Sequence, residues 1–98
     1  MAVLDSDVTG IDNTLWFIPV PEGRHGPRIK VAIDPPRTMR QGGVTATVPS
    51  DAPTMGPISE ALERQVRRFI ALNTIALLDY WKPAMSTNAF IARLHPIA

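Results

Sequence analysis

The sequence predicts an α+β domain, a small three-stranded antiparallel sheet covered by one long helix and a short C-terminal helix. Three observations carry this expectation. Apolar and polar residues alternate in two stretches of the first half, as they do along a strand with one face inward. From Ser59 onward the period becomes helical. Most of the ten prolines precede Ile58, where they cut the chain into short elements. At 98 residues, with 45% apolar residues, the chain suits one compact core.

Residues 1–13 are polar and acidic without periodicity, so they are expected to form a loose N-terminal arm or an edge segment ahead of a single domain spanning 14–98. "TLWFIPV" is apolar on both faces and predicts a strand from Leu15 to Ile18, ended or placed at a sheet edge by Pro19 and Pro21. "PEGRHGP" has the composition of a turn. "RIKVAID" then sets Ile29, Val31 and Ile33 against Lys30 and Ala32, and Pro35 and Pro36 end it. After "RTMRQGG" a third strand sets Val44, Ala46 and Val48 against Thr45 and Thr47. "PSDAPTMGP" is a loop long enough to cross an edge or a face of the sheet.

Ser59 suits an N-cap, and Glu60 and Glu63 suit the positive end of the helix dipole. At about 100° per residue Leu62, Val66, Phe69, Ile70, Asn73, Leu77 and Trp81 form one stripe facing the sheet. Pro83 places the end of this helix near Trp81. Ser86 caps the last helix, Met85 and Phe90 occupy hydrophobic-staple positions, and Phe90, Ile91 and Leu94 form its apolar side before Pro96. Asn73 breaks the apolar stripe. A buried amide there must find partners, or it marks a kink or cap where one helix becomes two.

The outward side of the long helix is basic in its first half, through Arg64, Arg67 and Arg68. In its second half it carries Ile75 and Leu78. The terminal helix is expected to cover that pair, and the alternative is a homodimer contact through Ile75 and Leu78. The net charge of +1 conceals a segregation, with Asp5, Asp7, Asp12 and Glu22 followed by Arg24, Arg28, Lys30, Arg37 and Arg40. A balanced total argues against a nucleic-acid binder, whereas a local basic patch is compatible with one. Helix-turn-helix recognition is disfavoured because strands and a proline-rich loop precede the helix.

"ISEALERQVRRFIALNTIALLDYW" resembles the helix of a widespread bacterial domain-of-unknown-function family of small proteins, and "IKVAID" is similar to the strand before it. The shared positions are Phe69, Leu72, Asn73, the Leu77–Leu78 pair and Trp81, and the resembling stretches cover about a third of the chain. Members carry a Pro-Pro-His-Phe-His-Val segment before the strand. The corresponding stretch here, "GRHGPRIKV", has only His25, so a role resting on a histidine pair does not carry over. The resemblance implies a binding or regulatory protein, of the kind encoded beside other small proteins and in mobile elements, rather than an enzyme.

The residues point the same way. The chain has no cysteine, and its two histidines, His25 and His95, lack carboxylates at ligand spacing, so neither a metal nor a cofactor is expected. Ser50, Ser59 and Ser86 lack the glycine-flanked elbow of a nucleophile, and "QGGV" lacks the lysine and helix start of a phosphate loop. The start has no secretory pattern, and no stretch approaches the roughly 18–20 apolar residues of a membrane span. The expectation is therefore a small cytoplasmic regulatory or accessory protein, of phage or mobile-element type, that blocks or adapts a partner protein. Its expected contact residues are Arg24, His25, Arg28, Arg37 and Arg40 in one group and Arg64, Arg67 and Arg68 in another. The alternative is a nucleic-acid-binding protein using the same arginines.

Overall fold

The computed structural model describes residues 2–17, 28–38, 42–80 and 86–97. Its class is α+β. The sheet has four strands in the order β1 (Ala2–Leu4), β2 (Leu15–Phe17), β3 (Arg28–Asp34) and β4 (Val44–Pro49), each antiparallel to the next. The expected three-stranded sheet is thus corrected by one strand, which comes from the segment expected to be a loose arm or an edge segment. Ala2, Val3 and Leu4 pair with Phe17, Trp16 and Leu15. Ala2 and Leu4 are buried, as is Ile11 beyond a four-residue helix, α1 (Ser6–Thr9). Three residues are too few to display a period of two, so the acidic side chains around them mask the strand.

Two further contacts hold this segment. Gly10 ends α1 in the left-handed region at φ 76°, a conformation that costs glycine nothing. The Ile97 backbone N–H donates to the Thr9 carbonyl at 2.8 Å, which joins the C-terminal tail to the N-terminal turn. The Thr9 side chain, fully buried, accepts from the Ile11 N–H at 3.0 Å.

The inward face of the sheet is close to the one the alternation predicts. Leu15, Phe17, Ile29, Val31, Ala46 and Val48 are buried, and Lys30 is exposed. Ala32, still in register with Thr45, is buried on the other face, and a register shift between Ala32 and Asp34 then ends the simple alternation, with Ile33 half-buried. The loop after β4 returns along its free edge, where Met55 and Thr47 exchange backbone bonds of 2.7 and 2.9 Å. That contact occupies donors and acceptors that an edge strand otherwise presents to other chains.

The single long helix of the expectation is two helices, α2 (Glu60–Leu72) and α3 (Thr74–Asp79), joined at Asn73. Ser59 caps α2, accepting from the Leu62 N–H at 3.2 Å, and Ser86 caps α4 (Thr87–Ala92), accepting from the Ala89 N–H at 3.1 Å. Val66, Phe69, Ile70, Asn73 and Leu77 are buried and Leu62 packs beside them, so the stripe faces the sheet. Trp81 and Met85, and with them the predicted helix end and staple, lie outside the described residues. Phe17, Tyr80 and Phe90 form an aromatic cluster that ties β2, α3 and α4 together. The Tyr80 and Phe90 rings stack 4.1 Å apart, and the Tyr80 hydroxyl lies 2.8 Å from Thr87 Oγ1.

Candidate interaction surfaces

Among the described residues, Arg28 and Arg37 stand at opposite ends of β3, and Arg64, Arg67 and Arg68 stand on α2. Arg24, His25 and Arg40 lie outside the described residues. Arg28 opens β3 and alternates with the buried Ile29, which sets it on the sheet face away from the helices. It is half-buried, and its Nε is enclosed without a hydrogen-bond partner. Arg37 is exposed in the turn beyond the other end of the same strand. Arg64 and Arg68 are exposed on α2, where Arg64 lies 4.0 Å from Glu60 in a pair too solvated to contribute much. A continuous groove joining the two groups is therefore not formed by the described arginines.

Arg67 has a different role from its neighbours. Its Nη1 donates to the Pro49 carbonyl at 2.8 Å, and its Nη2 donates to the Ala52 carbonyl at 2.9 Å and to Thr54 Oγ1 at 3.1 Å. Glu63 lies 3.7 Å away on the preceding turn. The planar guanidinium fork spans one end of β4 and the loop that follows, which makes it a clamp between α2 and that loop. These donors are engaged within the molecule and are not offered to a partner.

Asn73 is the most fully used polar side chain of the core. Its Nδ2 donates to the Phe69 carbonyl at 3.0 Å and to the His95 carbonyl at 2.9 Å, while its Oδ1 accepts from the His95 N–H at 2.7 Å. The residue itself leaves helical geometry, with φ −115° and ψ 19°, and its carbonyl accepts the first bond of α3 from the Leu77 N–H. One side chain thus replaces backbone bonds at the joint and fixes the tail after α4 against it.

The expected cover over Ile75 and Leu78 is absent. Phe90 directs α4 into the aromatic cluster and towards β1, so α4 does not lie over the outward side of α3. Leu72, Ile75 and Leu78 remain 52%, 72% and 43% exposed, three large apolar side chains at i, i+3 and i+6. Leu72 lay outside the apolar pair read from the helical wheel, since it sits at the flank of that face. Beside this ridge is an open groove of about 660 Å³ between the α2–α3 joint, at Leu72, Thr74 and Ile75, and the tail of α4, at Ala92, Arg93 and His95. Arg93 reaches Asp79 at 3.3 Å across the end of the groove.

The opposite sheet face has another character. Alternation assigns Val3, Trp16, Arg28, Lys30, Thr45 and Thr47 to it, and none of these is acidic. Trp16 is half-buried and stands directly opposite the exposed Lys30. Among the described residues no three His, Cys, Asp or Glu side chains converge as metal ligands, and no helix is long and apolar enough to cross a membrane. Comparison with family models, with curated proteins and with solved structures finds no match.

Proposed function

We propose that this chain is a small cytoplasmic protein-binding protein, regulatory or accessory in role, that blocks or adapts a partner protein through the outward side of α2 and α3. The observation that carries the reading is the ridge of Leu72, Ile75 and Leu78 beside an open groove. Grouped apolar side chains on a helix, flanked by charge, suit a hydrophobic contact with a basic rim. Arg64 and Arg68 continue the same helical line towards the N-terminus of α2 and supply that rim.

The test compares capture from the native cell by the wild-type chain, by Ile75→Asp, by Arg64→Glu with Arg68→Glu, and by Lys30→Glu on the far sheet face. The reading expects one species lost with Ile75→Asp, weakened by the arginine reversals and retained by Lys30→Glu. Capture indifferent to all the α2 and α3 substitutions overturns it.

A second reading rests on the sheet face. An aromatic ring beside cations, with threonine hydroxyls nearby, is a surface on which a single-stranded nucleic acid can stack and place its phosphates. Trp16, Arg28 and Lys30 are the residues concerned. Mobility shifts with single- and double-stranded probes decide it. Binding that weakens steeply with salt and with Lys30→Glu supports this reading, and no shift at low salt removes it.

A further inference from the structure

We infer that the α2–α3 ridge is a homodimer interface, in which a second copy of this chain seats its own ridge in the groove beside the first. The inference rests on the proposed use of the ridge for protein contact, and a second copy then competes with the partner protein for that ridge. A two-fold interface must be self-complementary, because each copy presents the same patch. This patch has both required shapes side by side. Leu72, Ile75 and Leu78 project from it, and the groove of about 660 Å³ is recessed next to them. The projecting residues are also spaced evenly about the most exposed one, Ile75, as Leu–Ile–Leu at three-residue intervals. A two-fold axis between the ridge and the groove sets each copy's ridge against the other's groove.

The available area sets the strength. The three side chains leave roughly 300 Å² of apolar surface in water, which is the size at which a patch on a monomer is often functional. A specific interface takes about 800 Å² from each partner, with roughly 65% of it apolar in homodimers. The ridge therefore supplies more than half of the apolar part, and Ala71, Ala92 and the aliphatic stem of Arg68 adjoin it, all exposed. An area of this size belongs with weak dimers that dissociate on dilution rather than with obligate ones.

Sedimentation velocity or light scattering on the purified full chain, from about 1 to 500 μM, tests this, a range that covers the micromolar affinities of weak complexes. The expected mass rises from the 10.7 kDa of one chain towards twice that value. Ile75→Asp is expected to remain at the single-chain mass throughout, and Lys30→Glu to dimerise as the wild type does. Ile75 is exposed and lies in the first turn of α3, where an aspartate suits the helix dipole, so the variant should fold; its circular dichroism and Tm check this. A wild-type chain of single mass at 500 μM overturns the inference, and so does dimerisation of a folded Ile75→Asp. The outcomes separate from those of the capture experiment. A single mass with Ile75-dependent capture removes only the homodimer, whereas dimerisation with capture indifferent to Ile75 removes the reading of a different partner protein.

Discussion

Replacing Asn73 tests whether one amide holds the joint between α2 and α3 to the C-terminal tail. Asn73→Ala removes two donated hydrogen bonds and one accepted bond, at 3.0, 2.9 and 2.7 Å. The Phe69 carbonyl keeps a partner, because it also accepts from the Asn73 backbone N–H. The His95 N–H and carbonyl lose theirs, and since His95 is an exposed residue, water recovers part of that loss. At about 1 kcal/mol net per neutral hydrogen bond the change costs about 3 kcal/mol. Asn73 lies outside helical geometry, so alanine's helix propensity returns nothing, and recovery of water bonds at His95 leaves roughly 2 to 3 kcal/mol. Asn73→Asp keeps the shape but cannot donate when ionised, and it aims an oxygen at two carbonyls in a site only 3% exposed. It should therefore be worse than alanine, by about 1 kcal/mol or more. Urea unfolding at neutral pH, followed by circular dichroism, measures both, and the alanine variant should melt roughly 10–20 °C lower. A loss below about 0.5 kcal/mol for alanine, or an aspartate variant as stable as the alanine one, would refute the assignment of Asn73 as the clamp.

Gly10→Ala should destabilise by about 2–4 kcal/mol, because the left-handed φ costs about 1–2 kcal/mol and a Cβ would also collide with the Ile97 carbonyl oxygen. Gly42→Ala is its control: φ is again positive, but the space is open, so thermal melts should show only the conformational cost, and equal losses at the two sites would contradict a docked tail. Arg67→Lys should cost about 1–3 kcal/mol, since a single ammonium cannot reproduce the fork across Pro49, Ala52 and Thr54. Amide exchange at Thr47 and Met55 should quicken in that variant, and unchanged protection there would show that the guanidinium does not hold the loop.

The parts of the fold that can be read from the sequence are those whose pattern is longer than its period. β3 has seven residues and α2 thirteen, enough to show which side is apolar, and the buried residues Ile29, Val31, Val66 and Phe69 lie where the patterns put them. β1 has three, and nothing in "AVL" distinguishes a strand from an arm; its strand pairing is with Leu15, Trp16 and Phe17, 11 to 15 residues away. Asn73 was legible as an exception in an apolar stripe, yet its partner at His95 is 22 residues distant and has no local signature. The arginines show the same limit. Helical geometry turns Arg64, Arg67 and Arg68 outward together, but the path of the loop after β4 decides that Arg67 is consumed internally while the other two are exposed.

The exposed ridge follows from a competition that no single helix decides. α4 has one large aromatic side chain, Phe90, and two apolar surfaces within reach: the outward pair on α3, and the cleft formed by Phe17 and Tyr80. Burying Phe90 completely gains about 2–3 kcal/mol in either place, but only the second adds aromatic stacking at 4.1 Å, worth about 1 kcal/mol more. That placement also lets the tail reach Asn73 and Thr9, through His95 and Ile97. One short helix cannot satisfy both surfaces. Closing the aromatic cluster therefore leaves Leu72, Ile75 and Leu78 uncovered as a consequence of the best packing of the core.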